Sequence, residues 1–382
     1  MPADQSLDEL TALAEAAGAI VVGRTLQRRD HPDPASYVGI GKLREVRAAR
    51  EDLGYTLVLV DDPLSPAQQL RLERELDVKV LDRSALILDI FASRARSHEA
   101  ALQVELAQHR YLLPRLRGQW EHLERLEGAI GARGPGETQL ETDRRLIGGR
   151  IARLQRRLES VRRQRALHRR RRARQGIPTV ALVGYANAGK SSLMRALAGA
   201  DVLIADQPFA TLDPTTRRVP ASGPGIPAGL AFLLTDTVGF MQKLPAQLIS
   251  AFRATLEELE SADLLLHVVD VTSPTAELQA STVEATLTEL GLGDLPRLIA
   301  LSKADGRADE EGAGGLRAPG AAAGGVATPP IGFVVTSAIR GWGIDALREK
   351  LSYELFGGIE AAPAAPRAGG ATPLPGGTAS MR

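Results

Sequence analysis

The sequence contains no cysteine and few lysines, and the absence of cysteine excludes two kinds of site. Without cysteine, its 382 residues form no disulfide and no thiolate metal site. Only 6 of the 47 basic residues are lysine. No apolar run approaches the roughly 20 residues of a membrane-spanning helix, and the first ten residues, MPADQSLDEL, are polar and acidic, unlike a signal peptide. We therefore expect a cytoplasmic protein without a membrane span.

Positive charge is concentrated in one segment, although the whole chain has a net charge of only +1. From Arg144 to Arg174 there are 14 arginines and one glutamate, a balance of +13, so the rest of the chain carries −12. A run of charges usually forms a solvated helix face. Within Arg169–Arg172, however, like charges would repel each other on an isolated helix. The cluster therefore favours a polyanionic partner over a solvated face.

The first ninety residues alternate short apolar runs with helical patterns, which is typical of a small α/β domain with a largely parallel sheet. A helix start is marked by Ser65, Pro66 and Gln68, which have the spacing of a capping box with proline in the first turn. The predicted strands are Ala19–Val22, Thr56–Val60, Val78–Leu81 and Leu86–Phe91.

From about residue 97 the apolar spacing changes to alternating steps of four and three, which predicts an antiparallel pair of helices. Pro114 should kink the first helix. The connection at 128–143, GAIGARGPGETQLETD, is too rich in glycine and proline to be helical throughout. The positions with this spacing are Leu102, Leu106, His109, Leu113, Leu116, Trp120 and Leu123 in the first helix, and Ile147, Ile151, Leu154, Leu158 and Val161 in the second.

Residues 184–192, GYANAGKSS, match the phosphate-binding loop, with a predicted strand before them and a helical pattern after them. A glycine turn that matches by chance is the alternative. In the functional interpretation, backbone N–H groups surround the phosphates. Lys190 would reach the β- and γ-phosphates, and the Ser191 hydroxyl would ligate Mg²⁺. The predicted nucleotide contacts in this loop are Gly184, Asn187, Ala188, Gly189, Lys190, Ser191 and Ser192.

Further motifs follow in the order found in a GTPase. LLTDTVGF places Asp236 at the end of an apolar strand, where it would hold Mg²⁺ through water, and Gly239 where its N–H would face the γ-phosphate. In RLIALSKAD, Asp305 would accept hydrogen bonds from the guanine edge, and Lys303 would lie beside the ring. The base-contacting loop after the next strand, in VVTSAIRG, supplies Ser337 and Ala338.

Two positions depart from the usual GTPase pattern. Ser302 stands where the guanine motif usually begins with asparagine, which braces the phosphate loop and touches the base; serine is too short for both. Asp305 should preserve the preference for guanine, but we expect a lower affinity for guanine nucleotides and a lower selectivity against ATP. After Gly239 stands Phe240, where Ras-like enzymes carry the glutamine that orients the attacking water. Hydrolysis should therefore be slow until something else positions that water.

Several motifs together resemble HflX, a family of ribosome-associated GTPases, from about residue 18 to 357. They are FATLDPTTR, DTVGF, GARGPGETQLETDRR and the stretch LSPAQQLRLERELDVKVLDRSALILDIFASRARSHEAALQVELAQHRYLLPRL. The resemblance implies that Thr211, in FATL, ligates Mg²⁺ and senses the γ-phosphate; Thr215 or Thr216 is the alternative. The resulting catalytic set is Lys190, Thr211 and Gly239, and the metal set is Ser191, Thr211 and Asp236.

The resemblance also implies a fold class, a P-loop GTPase domain preceded by a small α/β subdomain and an antiparallel helical hairpin. We expect the α/β subdomain at 1–93, the RNA-binding hairpin at 94–175, the GTPase domain at 176–357 and a disordered tail at 358–382. Within the GTPase domain, 306–330 reads as a low-complexity insertion. The GIGK at 39–42 lacks the phosphate-loop spacing and reads as a structural turn.

The implied function is a monomeric, stress-linked GTP hydrolase that uses GTP/GDP and Mg²⁺. It would bind the large ribosomal subunit and its RNA, split or rescue stalled or idle ribosomes, and be stimulated by the ribosome. Arg133, Arg144 and Arg145 are the expected RNA contacts. The alternative is an ATP-using RNA remodeller on the same scaffold. A third reading, an RNA-binding module with a degenerate pocket, conflicts with the intact Lys190, Ser191 and Asp236.

Overall fold

The computed structural model describes residues 3–116, 135–174, 176–199, 209, 211–243, 258–307 and 330–357. The helices in these ranges are α1 (Ala3–Ala16), α2 (Ile40–Leu53), α3 (Pro66–Leu76), α4 (Arg83–Arg94), α5 (His98–Leu112), α6 (Pro135–Arg174), α7 (Lys190–Ala198), α8 (Ala276–Glu289) and α9 (Ile344–Phe356). The strands are β1 (Leu57–Val60), β2 (Lys79–Asp82), β3 (Thr179–Gly184), β4 (Thr215–Pro220), β5 (Ala231–Asp236), β6 (Leu264–Asp270), β7 (Arg297–Ser302) and β8 (Gly332–Val335).

A six-stranded sheet in the order β4-β5-β3-β6-β7-β8 forms the centre of the C-terminal half. All neighbouring strands are parallel except β4, which runs antiparallel to β5 at the edge. Strands β3, β6 and β7 are buried almost throughout, as expected for central parallel strands covered on both faces. Their carboxyl ends meet at one edge of the sheet, where parallel α/β folds place their ligands.

The N-terminal part contains a two-stranded parallel sheet, β1 and β2, with helices around it. The predicted capping box is confirmed: the Ser65 hydroxyl accepts from Gln68 N–H, and the Gln68 side chain accepts from Ser65 N–H. The predicted strands at Thr56–Val60 and Val78–Leu81 correspond to β1 and β2. The prediction of mixed α/β structure in this part is therefore correct.

Two strands predicted in the N-terminal part are wrong. Leu86–Phe91 lies in helix α4, which starts where the Asp82 carboxylate accepts a hydrogen bond from Ala85 N–H. A short apolar run is compatible with a buried strand and with a helix that is buried on most of its surface. Here the N-cap hydrogen bond of Asp82 favours the helix. Ala19–Val22 forms no strand either, because no backbone in the described residues pairs with it.

The predicted helical pair consists of α5 and α6, which pack through a cluster of buried leucines at 102, 106, 154 and 158. Arg150 of α6 donates to Glu105 of α5 at 2.6–2.8 Å. Pro114 lies in a short 3-10 turn, Leu113–Arg115, directly after α5, so the first arm is interrupted at the predicted place. α6 begins at Pro135, so the final part of the predicted connection is helical; 117–134 lie outside the described residues.

A continuous cluster of buried side chains joins the two halves. It includes Leu13 of α1 and Phe91 of α4 as well as Val183 of β3 and Leu265 of β6. The N-terminal part therefore shares a hydrophobic core with the six-stranded sheet. None of the helices in the described ranges has the length and apolar character needed to cross a membrane. Most of the predicted insertion (308–329 of 306–330) and the predicted tail (358–382) lie outside those ranges.

Candidate functional site

The phosphate-loop motif connects β3 to α7 at the carboxyl edge of the sheet. Gly184 has φ 155°, and a Cβ there would lie 2.4 Å from the Val268 carbonyl oxygen, so only glycine fits. Gly189 is the N-cap of α7 with φ 95°, a left-handed conformation that favours glycine. No side chain among the described residues caps α7. Its first amides are thus left for an anionic ligand at the positive end of the helix.

Lys190 is almost fully buried beneath this loop. Its ammonium donates to two loop carbonyls, Tyr185 O at 2.9 Å and Gly184 O at 3.2 Å. Burial lowers the pKa of Lys190 to about 8, and the nearby Lys303 acts in the same direction, whereas Asp236 opposes them. The ammonium thus lies beneath the loop, where two carbonyl groups and Asp236 only partly offset the cost of burying its charge.

The three predicted metal ligands, Ser191, Thr211 and Asp236, meet in one cluster. Ser191 Oγ donates to Asp236 Oδ2 at 2.6 Å, Thr211 Oγ1 to the same oxygen at 3.0 Å, and the two hydroxyls are 2.8 Å apart. Burial raises the pKa of Asp236. Asp236 Oδ1 is buried, with no hydrogen-bond partner among the described residues. Two hydroxyls and a carboxylate with a free oxygen form an all-oxygen donor set that suits Mg²⁺.

The two alternatives to Thr211 lie on β4, and among the described residues neither of their hydroxyls is hydrogen-bonded to this cluster. The Thr216 hydroxyl bonds the Thr235 hydroxyl at 3.0 Å. Thr215 is paired with Asp236 through the β4–β5 backbone register. The geometry therefore favours Thr211 as the threonine of the metal site.

Gly239 packs directly against the phosphate loop. A Cβ at this position would lie 2.7 Å from Ala186 Cα and 3.0 Å from Lys190 Nζ. The next residue, Phe240, is tied to the loop on both sides: its N–H donates to Gly184 O at 3.0 Å, and its carbonyl accepts from Ala186 N–H at 2.6 Å. The Phe240 side chain is buried in the shared core. It supplies no polar atom to orient a water molecule.

The predicted base-binding residues lie at the carboxyl ends of β7 and β8. Asp305, in a 3-10 turn after β7, accepts a hydrogen bond from Ser337 Oγ at 2.6 Å. Ser337 is fully buried, and its Oγ also accepts from Arg340 N–H at 3.1 Å. Ala338 is half-buried in the same turn. The Ser337 hydroxyl thus fixes the carboxylate expected to recognise guanine.

Ser302 and Lys303 connect the base-binding residues to the phosphate loop. Ser302 is buried at the end of β7, and a Cβ on Gly189 would lie 2.8 Å from its Oγ. Lys303 has a left-handed φ of 60°, and its ammonium pairs with Asp270 Oδ2 at 2.8 Å. The Asp270 carboxylate, which the sequence analysis did not identify, thus restrains the lysine expected to lie beside the ring.

For the remaining predicted site residues the structure gives only the position and the exposure, and their predicted roles stay predictions. Asn187 is exposed in the phosphate loop with φ 62°, Ala188 is buried, and Ser192 is half-buried in the first turn of α7. Arg144 and Arg145 are exposed near the start of α6. Arg133 lies outside the described residues.

Sequence reasoning missed the residues that join the N-terminal part to the site. Tyr185, a variable position of the phosphate loop, donates through its hydroxyl to Glu9 Oε1 at 2.7 Å and accepts from Gln242 N–H at 3.1 Å. Lys243 pairs with Asp61 at 2.5 Å and with Asp62 at 2.7 Å. The signal available in the sequence was the position of Tyr185 inside the loop and of Lys243 four residues after Gly239.

The fold and these contacts define a P-loop GTPase domain, and comparison with known proteins gives the family. Models described as GTP-binding GTPase N-terminal, GTP-binding GTPase Middle Region and 50S ribosome-binding GTPase match residues 4–92, 94–172 and 179–303. The GTPase HflX of Caldanaerobacter subterraneus subsp. tengcongensis is 50% identical over 302 residues, 79% of this chain and 69% of that protein. The GTPase HflX of Escherichia coli is 47% identical over 301 residues, 79% and 70% of the two chains.

The chain belongs to the HflX family of GTPases. Among solved structures, a GTP-binding protein from Sulfolobus solfataricus in complex with GDP is 25% identical, with a TM-score of 0.47 and coverage of 92% of this chain and 95% of that one.

Proposed function

We propose that this protein binds GTP with Mg²⁺, hydrolyses it, and uses the nucleotide state to bind the large ribosomal subunit and split or rescue stalled ribosomes. The observation that carries the nucleotide part is the cluster of Ser191, Thr211 and Asp236 beside the buried ammonium of Lys190. Ser191, Thr211 and Asp236 would hold Mg²⁺, which would supply positive charge to offset the negative charge that develops during phosphoryl transfer.

In this proposal the chain's own residues have separate roles. The Lys190 ammonium, now bonded to two loop carbonyls, would bind phosphate oxygens. The hydroxyls of Ser191 and Thr211 and the unpartnered oxygen of Asp236 would be the ligands of the metal. Gly239 lies close to Lys190, since a Cβ there would be 3.0 Å from Lys190 Nζ, and its N–H is expected to face the γ-phosphate. Because Phe240 cannot orient water, a partner supplies that function, and the ribosome is our candidate.

The ribosomal part of the proposal rests on the family and on the arginines of α6. The GTPase domain matches a model described as 50S ribosome-binding GTPase. Exposed arginines beside the connection between α5 and α6 suit contacts to an RNA backbone. The domain division given above, with a hairpin between the α/β subdomain and the GTPase domain, is part of this proposal.

Sedimentation of ribosomes with the protein tests the proposal. With a non-hydrolysable GTP analogue we expect the protein to migrate with the large subunit and 70S particles to separate into subunits; with GDP we expect neither. Lys190→Ala should abolish both effects because it removes the charge that faces the phosphates. Splitting that is independent of nucleotide and of Lys190 would refute the proposal. Competition of labelled GTP by unlabelled ATP decides between GTP and the ATP-using alternative.

A further inference from the structure

The segment that carries Thr211 is held on both sides by the N-terminal part of the chain. Two residues before Thr211, the ring of Phe209 meets the ring of Phe91, in α4, edge to face, with centroids 4.6 Å apart and planes at 72°. Two residues after Thr211, the carboxylate of Asp213 lies at the N-terminus of α5. Both contacts cross from the GTPase domain to the junction between α4 and α5.

Asp213 extends the N-terminal cap of α5. Its Oδ2 accepts from Ser97 N–H at 2.8 Å and from Arg96 N–H at 3.0 Å, and its Oδ1 accepts from the Ser97 hydroxyl. Ser97 is itself the N-cap residue of α5, since its Oγ accepts from Ala100 N–H at 3.1 Å. A carboxylate at this end is also stabilised by the positive end of the helix dipole. Three donors, from the N-cap residue Ser97 and from Arg96 before it, thus fix one side chain of the GTPase domain.

Phe209 has an unusual backbone conformation for its size. Its φ of 59° lies in the left-handed region, which is costly for a bulky side chain. Its ring is buried within the core that the two halves share. The packing against Phe91 therefore helps to stabilise a backbone conformation that the segment would otherwise leave.

We infer that Phe209 and Asp213 are positioning residues that hold Thr211 at the metal site through the α4–α5 junction. This inference rests on the proposed function, because it takes Thr211 as the residue that responds to the γ-phosphate. α5 is the first arm of the hairpin. The contacts at its base and the binding of the nucleotide are therefore thermodynamically coupled. GTP binding strengthens the contact between Asp213 and Ser97, and a partner that moves the base of α5 changes the affinity for GTP by the same factor.

Nucleotide affinities of three variants test this assignment in the full chain with Mg²⁺. We expect Asp213→Ala and Ser97→Ala to weaken binding of a non-hydrolysable GTP analogue about ten-fold, as for the loss of a hydrogen bond to a charged group. GDP binding should stay unchanged, because Thr211 meets only the γ-phosphate state. Ser65→Ala is the matched control, because it removes an equivalent N-cap serine from another helix, α3.

Amide hydrogen exchange supplies a readout independent of affinity. The N–H groups of Arg96 and Ser97 donate to Asp213, so in the wild type they should exchange more slowly with the GTP analogue than with GDP. That difference should vanish in Asp213→Ala and persist in Ser65→Ala. If Asp213→Ala does not fold, Asp213→Asn, which keeps the volume and removes the charge, carries the same two measurements.

The outcomes separate this inference from the proposed function. If Asp213→Ala weakens binding of GDP and of the GTP analogue equally, Asp213 serves only the stability of the fold. If the variant leaves both the ratio of the two affinities and the exchange of the Arg96 and Ser97 amides as in the wild type, Asp213 does not position Thr211. Either result overturns the inference. By contrast, if Lys190→Ala binds both nucleotides as the wild type does, the assignment of the phosphate loop itself fails.

Discussion

Two buried charges of opposite sign dominate the site at the scale of single residues. Burial lowers the pKa of Lys190 to about 8 and raises the pKa of Asp236, so each charged form is disfavoured. The loop carbonyls and the hydroxyls of Ser191 and Thr211 compensate only in part. A polyphosphate with a divalent cation supplies the missing partners of both groups, which is why this arrangement favours binding of such a ligand.

The lowered pKa of Lys190 predicts that nucleotide binding depends on pH. Below about pH 8 the ammonium is already protonated in the free protein, and above it the lysine must take up a proton to face phosphate. Affinity for GDP should therefore fall as the pH rises through 8, by at most about ten-fold per pH unit. Titration calorimetry in two buffers with different ionisation enthalpies measures the proton uptake. Equal heats in both buffers at about pH 8.5 would contradict the expectation.

Ser302 yields a second prediction at this scale. Its Oγ lies beside Gly189 at the end of β7, where a longer amide side chain would reach both the loop and the base. Ser302→Asn should tighten binding of GDP and GTP by about 1 kcal/mol, the net value of one hydrogen bond. Fluorescence titration with a labelled nucleotide measures the change, and Ser281→Asn, at an exposed position of α8, is the control. Unchanged affinity would mean that Ser302 or a neighbour already compensates.

At the scale of elements, the sequence predicted well wherever a local signal and a tertiary requirement agreed. The buried strands β3 and β7 end in nucleotide-binding motifs, which act at the carboxyl edge of a parallel sheet. The capping box of α3 depends only on residues that are close in the sequence. Together these patterns predict most of the nucleotide site. Roles for the individual residues remain predictions.

The wrong elements are those in which burial alone shaped the pattern. Leu86–Phe91 is apolar because α4 is covered on several sides, so its composition resembles that of a central strand. In Ala19–Val22 the exposure of the side chains alternates, with Ile20 89% exposed and Val22 48% exposed, but no strand of the described chain pairs with the segment. The contacts of Tyr185, Lys243 and Asp213 could not be predicted either, since they depend on how distant segments meet.

The contact of Lys243 with the N-terminal part gives a prediction for this interface. Lys243 pairs with Asp61 and Asp62, and these contacts raise its pKa despite partial burial. A double-mutant cycle with Lys243→Met and Asp62→Asn should show a coupling of about 0.5–1 kcal/mol in the free energy of unfolding. Asp61 is left intact because it also pairs with the buried Arg83.

Salt provides the check on that coupling. Because the Lys243 side chain is about a third exposed, the coupling should shrink between low and high ionic strength. Lys42→Met is the control, since Lys42 pairs with Glu45 within a single helix, α2. A coupling that is zero at low salt, or as large for a cycle of Lys42 with Asp62, would contradict the proposed link.

At the scale of the whole molecule, slow intrinsic hydrolysis follows from the position of Phe240. Its side chain lies in the core and its backbone is fixed to the phosphate loop, so the water has no orienting group from this residue. Unstimulated turnover should be on the order of 10⁻⁴–10⁻² s⁻¹ and should rise greatly with large ribosomal subunits. Single-turnover hydrolysis with and without subunits measures both. Turnover by the isolated protein above about 1 s⁻¹ would count against an external activator.

The last prediction concerns whether the arginine-rich arm contacts RNA. Arg144 and Arg145 are exposed near the start of α6, whereas the base of the hairpin contacts the GTPase domain. Replacing both by glutamine should leave nucleotide affinity unchanged while weakening ribosome binding. Each lost phosphate contact should also reduce the slope of log K against log salt concentration by about 0.7–0.9.

A pelleting assay over a salt series, with the GTP analogue present, tests this. The matched control is Arg217→Gln with Arg218→Gln, two exposed arginines on the edge strand β4, which removes the same charge from another surface. If both double variants weaken binding equally, net charge and not the hairpin is responsible. If the variant at 144 and 145 binds as the wild type does at every salt concentration, this part of α6 does not touch RNA, and the solvated-face alternative is correct.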